Sequence, residues 1–283
     1  MIHIITDSTC DLTQAELSEL NVASAPLTVH FQRESFRDGI DLGPSAFYQK
    51  LESSKELPTT SQASPAAFEQ LLKPISEKGD EAVIITISST LSATWQSACM
   101  AAMNISPDKV HVVDSRSASG GLALLIRKAV TMRDAGGHTA QQIAEILRDM
   151  APRVVILASI DTLKYLQKGG RVSRSMAVVG GLLNVTPLLR VQDGEILNVG
   201  KARSEKSAIK SLLDLYRSCA PETENGIVLF HGDAAERMDR FMAAFEEEVS
   251  GMPLYHSRMG SVIGTHTGPG VVAIAFVDKH EKA

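Results

Sequence analysis

The sequence predicts an α/β protein of two domains, an N-terminal parallel-sheet α/β domain over residues 1–151 and a C-terminal mixed α+β domain over residues 152–283. Three observations predict this. At 283 residues the chain is too long for one small core and too short for three ordinary domains. In the first half, short β-branched runs alternate with helix-like stretches, the rhythm of a parallel sheet covered on both faces. In the second half, two strand-like runs flank Asp193-Gly194, the strongest short hairpin signal, so an antiparallel element is expected there.

Taken in order, residues 2–6 form a strand followed by a helix over 13–20, 82–87 a strand followed by a helix over 91–104, and 110–114 a strand followed by a helix over 121–134. Each strand ends in a polar turn: Thr6-Asp-Ser-Thr, Ser88-Ser-Thr and Asp114-Ser-Arg-Ser. Open α/β sheets bind ligands at the carboxyl ends of their strands, which makes these turns the first place to look. A turn at Gly136-Gly137 precedes the boundary near Pro152 by one helix. Beyond it, strands are expected at 153–159, on either side of the hairpin turn, and at 226–231, 253–258 and 270–277, with helices over 204–219 and 234–249.

Composition excludes several function classes. Apolar residues at 44% and charged residues at 22% give the balance of an ordinary globular protein. A net charge of −5 argues against a nucleic-acid surface, which needs clustered Lys and Arg. Cys10, Cys99 and Cys219 are odd in number, far apart and without CxxC spacing, so neither a disulfide framework nor a metal site is expected, and a reducing cytoplasm fits. The first residues lack the basic start and longer apolar run of a signal peptide. Apolar runs at 154–160 and 176–185 fall short of the roughly 20 residues that span a bilayer.

Four segments carry candidate chemistry. Thr59, Thr60 and Ser61 place hydroxyls in a loop ahead of Ser64-Pro65, a helix N-cap with proline at the first helical position. They are either a polar loop or hydrogen-bonding groups for an anion. Ser92 lies where a buried strand opens into a helix, a junction whose free amides suit an anion as well as a cap. Lys164, Lys168, Arg171 and Arg174 surround Gly169-Gly170, which reads as a solvated helix end, or alternatively as Arg171 and Arg174 gripping a phosphate or an acidic partner. His266 stands between two threonines in a glycine-rich loop, Gly264-Thr-His-Thr-Gly-Pro-Gly, directly before a strand. Gly200-Lys-Ala-Arg-Ser lacks the glycine run of a phosphate loop, and no G-x-S-x-G, H-E-x-x-H or G-x-G-x-x-G signature is present.

In this order the segments Thr6-Asp-Ser-Thr, Pro58-Thr-Thr-Ser-Gln, Ser88-Ser-Thr-Leu-Ser-Ala-Thr-Trp-Gln-Ser-Ala, Val113-Asp-Ser-Arg, Gly169-Gly-Arg-Val-Ser, Gly200-Lys-Ala-Arg and Gly264-Thr-His-Thr-Gly-Pro-Gly resemble the DegV family over nearly the whole chain. The resemblance implies a lipid pocket between the two domains and a non-enzymatic carrier: the fatty-acid-binding subunit of a bacterial fatty acid kinase. Such a subunit presents a long-chain fatty acid to a separate ATP-dependent kinase subunit for acyl-phosphate formation, with transient membrane contact compatible with the role. No cofactor, metal or catalytic residue of its own is implied. Carried over by motif, Thr60, Ser61, Ser92, Ala93 and His266 would hold the carboxylate, and Arg171 and Arg203 would serve the kinase or the phosphate. Alternatives are a lipid sensor or transport protein acting alone, or a hydrolase or acyltransferase using Ser92 and His266. One departure stands out: the family usually has Ser-Gly-Thr-Tyr where this chain has Ser92-Ala93-Thr94-Trp95. If the family glycine has positive φ, the loop here must differ.

Overall fold

The computed structural model describes residues 1–172 and 185–280, so Arg174 and most of the apolar stretch 176–185 lie outside the described residues. The first half runs β1 (Ile2–Asp7), α1 (Gln14–Glu19), β2 (Val22–Ala25), β3 (Thr28–Phe31), β4 (Glu34–Arg37), α2 (Pro44–Ser53), β5 (Thr59–Ser61), α3 (Pro65–Glu77), β6 (Glu81–Thr86), α4 (Thr94–Ile105), β7 (Val110–Asp114), α5 (Ser119–Ala135) and α6 (Ala140–Met150). Local chemistry sets the helix starts. Thr13 and Glu16 form a capping box that opens α1, and Ser64 caps α3 ahead of its proline.

Strands β2, β1, β6 and β7 form, in that order, a fully parallel sheet. This is the α/β arrangement the alternating pattern predicts. A second, antiparallel sheet ordered β4-β3-β5 was not expected. The segment around Thr60, expected to be a loop, is its third strand, with Thr60 opposite Val29. Three residues are too few to show a period of two, and hydroxyls rather than apolar groups fill them.

The second half runs β8 (Val154–Ser159), α7 (Lys164–Lys168), β9 (Thr186–Gln192), β10 (Glu195–Ala202), α8 (Glu205–Arg217), β11 (Ile227–Gly232), α9 (Ala235–Val249), β12 (Leu254–Arg258), α10 (Ser261–Thr267) and β13 (Val271–Val277). Its six strands are ordered β10-β9-β8-β13-β11-β12, and only β11 and β12 pair in parallel. Strand β13, Val-Val-Ala-Ile-Ala-Phe-Val, is buried along its whole length, as a central strand covered on both faces must be.

Helix α5 joins the two large sheets. One apolar cluster runs from Ile4 and Val83 through Leu122 to Leu125 and on to Val228, Phe230 and Ala275. Close approach depends on Gly120, where an added Cβ would lie 2.6 Å from two Phe230 ring carbons. Gly120→Ala is therefore expected to overpack this contact and to destabilise the protein by about 1–3 kcal/mol in denaturant unfolding. An unchanged midpoint would contradict the packing argument. No described helix is long and apolar enough to cross a membrane, and among the described residues no His, Cys, Asp and Glu group could hold a metal ion.

Candidate functional site

A cavity of about 250 Å³ lies where the segments following β6 and β7 meet the six-stranded sheet. Much of its wall is apolar and includes Ile156, Ala158, Leu189, Val191, Phe230 and Ala273. Ala158 and Ala273 are directly opposite each other on β8 and β13, so the sheet presents two adjacent methyls where larger side chains would close the space. The polar lining consists mainly of Thr60, Ser61, Gln62, Ser92, Arg171 and His266.

These polar groups gather through a chain of contacts. The Thr60 hydroxyl and His266 Nε2 are 2.8 Å apart. The other ring nitrogen, Nδ1, is buried against Gly169 and has no hydrogen-bond partner among the described residues. Arg171 donates from Nη1 to the Gly169 carbonyl and from Nε to the Leu91 carbonyl, 3.1 Å away. Leu91 precedes Ser92, whose hydroxyl is 2.9 Å from that of Thr94. Ser61, which also lines the cavity, engages His30 Nε2 at 3.0 Å.

One expectation needs correcting. His266 does not lie in a loop but on the short helix α10. The glycines that suggested a loop serve packing and termination instead. A Cβ on Gly264 would lie 2.5 Å from Phe47 on α2, and Gly268, with φ of 74°, is the left-handed residue that ends the helix. Ala93 has φ of −73°, an ordinary value for alanine, so the backbone beside Ser92 is unstrained. Ala93 is the N-cap of α4, and the Ser92 hydroxyl accepts the Thr94 amide at 3.3 Å.

Buried acids hold the two ends of the site in place. Asp7, in the first polar turn, accepts from the Ile87 amide at 2.7 Å and so ties the end of β1 to the end of β6 just before the Ser92 loop. Asp11 accepts from the Gly260 amide at 2.8 Å, and Asp38 accepts from the Ser261 amide at 2.9 Å, so two acids of the first half grip the start of α10 and position His266. Burial pushes the Asp7 carboxyl up to about 6 and raises those of Asp11 and Asp38 as well. Asp11 and Asp38 lie more than 200 residues from the helix they hold, which is why no sequence spacing reveals them. Gln62 was also missed, although it closes the Pro58-Thr-Thr-Ser-Gln segment.

Electrostatics favour a neutral imidazole and an anionic guest. Burial, with the nearby Arg171 charge, lowers the His266 ring from its ordinary 6.5 to about 4, and burial also lowers Arg171. The stability linked to a depressed histidine is fully present above pH 6.5 and is lost as pH falls through 4. Wild-type protein should therefore lose more thermal stability than His266→Gln between pH 6.5 and pH 4. Equal losses would contradict the burial assigned to this ring. Arg203 is exposed between β10 and α8 and does not line the cavity.

Among the described residues the nucleophile arrangement that Ser92 and His266 would need is not formed, because the His266 hydrogen bond goes to Thr60 and no carboxylate orients Nδ1. What the arrangement can do is bind: a carboxylate leaves water at a high cost unless several donors meet it, and hydroxyls, an imidazole and a guanidinium converge here.

Comparison with known proteins finds similarity along nearly the whole chain. A family model described as "Uncharacterised protein, DegV family" matches residues 1–279. A DegV domain-containing protein of Deinococcus radiodurans is 34% identical over 278 residues, 97% of this chain and 98% of its own. Among solved structures, a fatty-acid-binding DegV family protein from Thermus thermophilus is 30% identical with a TM-score of 0.87, covering 98% of this chain and 99% of its own. DegV of Bacillus subtilis, described as a fatty acid binding protein, is 28% identical with a TM-score of 0.85, covering 98% and 99%.

Proposed function

The chain belongs to the DegV family, and from that premise we propose that it binds a long-chain fatty acid and presents the carboxylate to a separate ATP-dependent kinase subunit for acyl-phosphate formation. The observation that carries the binding reading is the cavity itself, which joins the corner of Thr60, Ser92, Arg171 and His266 to an apolar wall of six-stranded sheet. Thr60, Ser61, Ser92, Ala93 and His266 hold the carboxylate, while Arg171 reaches it from beside His266. Exposed Arg203 meets the kinase or the phosphate. Residues 1–151 supply the hydroxyls and residues 152–283 the imidazole, the guanidinium and most of the tail contacts, so the two domains share the ligand.

Tail burial supplies affinity. At about 0.8 kcal/mol per methylene, ~14 methylenes contribute on the order of 11 kcal/mol before the costs of association. The head group sets orientation and chemistry. The carrier works in the cytoplasm and collects its lipid through transient membrane contact.

The kinase step is tested by incubating the lipid-loaded protein with ATP, Mg²⁺ and a fatty acid kinase subunit, then trapping acyl phosphate with hydroxylamine. Acyl phosphate that forms only with all components present is the expected result. Retained lipid without acyl phosphate would overturn the kinase reading and leave a sensor or transport protein.

A further inference from the structure

We infer that the tip of the β9–β10 hairpin positions the Ser92 loop, with Thr90, Gly194 and Arg116 as positioning residues for carboxylate recognition; this rests on the fatty-acid reading above. Asp193 and Gly194 both have positive φ, 52° and 77°, the tight turn that brings two antiparallel strands together. That turn is docked on the first half of the chain. The Gly194 amide donates to the Arg116 carbonyl at 2.7 Å, the Thr90 hydroxyl donates to the Gly194 carbonyl at 2.5 Å, and the Arg116 guanidinium pairs with Asp193.

The docked turn meets the chain at Thr90, two positions before Ser92. The Ser88 and Thr90 hydroxyls are 2.8 Å apart, and the Ser88 carbonyl accepts both the Leu91 amide at 3.0 Å and the Ser92 amide at 3.1 Å. Arg171 donates from Nε to the Leu91 carbonyl. The loop carrying Ser92 is thus clamped twice by the second half of the chain, at Thr90 by the hairpin tip and at Leu91 by Arg171. No side chain fits at the tip, since a Cβ on Gly194 would lie 2.9 Å from the Ser88 hydroxyl and 3.0 Å from that of Thr90. Thr90, Arg116 and Gly194 do not line the cavity, so any effect they have on a ligand passes through the loop.

The same hairpin lines the cavity with Leu189, Val191 and Ile196. Tail contacts and head-group geometry therefore meet on one element, and the tip registers that element against Ser92.

The test compares hexadecanoic acid with its methyl ester, which keeps the tail and removes the charge. Affinities are measured by displacement of a fluorescent fatty acid from the delipidated full chain. Wild type is expected to prefer the acid. Thr90→Val and Gly194→Ala should each reduce the acid-to-ester preference about tenfold while binding the ester as wild type does. Thr90→Ser, which keeps the hydroxyl, should retain the preference, as should Leu197→Ala at an exposed position of the same hairpin. If Thr90→Val does not fold, Gly194→Ala and Arg116→Ala carry the test. A wild-type preference unchanged in the variants, or an equal loss for acid and ester, would overturn the positioning role alone. Wild type that binds neither compound would overturn the fatty-acid reading as well.

Discussion

Ala158→Phe is expected to empty the protein of lipid while leaving it folded. Ala158 faces the cavity from β8 beside Ala273 on β13, and both side chains are buried under the space the tail would occupy. A phenyl ring there fills the cavity with the protein's own apolar atoms, so stability is kept or raised rather than lost. Excluding about four methylenes at ~0.8 kcal/mol each weakens binding by about 3 kcal/mol, on the order of 100-fold. Fatty-acid titration of delipidated protein measures the affinity, and thermal unfolding checks the fold. Wild-type affinity in a folded Ala158→Phe protein would place the tail elsewhere.

Thr60→Val should act at the opposite end and in a different way. It removes the hydroxyl paired with His266 Nε2 and leaves both ring nitrogens of a half-buried imidazole without partners among the described residues, because the buried Nδ1 already has none. Leaving a buried polar group unpaired costs about 1–3 kcal/mol, a roughly 5- to 150-fold effect if it falls wholly on the head group. Tail contacts are untouched. Acyl-phosphate formation should therefore fall much more than lipid retention, and Ser92→Ala should behave alike. Full acyl-phosphate yield from both variants with a kinase subunit would remove these residues from the head-group site.

The contrast between these two predictions follows what could be read along the chain. The parallel sheet announced itself because β1, β6 and β7 are β-branched runs each followed by a helix, and the hairpin because Asp193-Gly194 specifies its turn chemically. Thr60, Ser92 and His266 stood out as hydroxyls and an imidazole beside backbone breaks. Their meeting did not: the contact between Thr60 and His266 spans 206 positions and depends on Asp11 and Asp38 holding α10. The tail wall was equally hidden, since Ala158 and Ala273 look like any other strand alanines until β8 and β13 are paired. Glycine misled at Gly264, where close packing against Phe47 rather than a loop needs the missing side chain.

The sharpest test of a fatty acid in this cavity is denaturing mass spectrometry of the small molecule that co-purifies with wild-type protein, set beside Ala158→Phe prepared in the same way. A long-chain fatty acid near one equivalent in wild type, and its absence from the folded variant, is the predicted result. Wild-type protein that carries no fatty acid and takes up none when it is added would contradict the account.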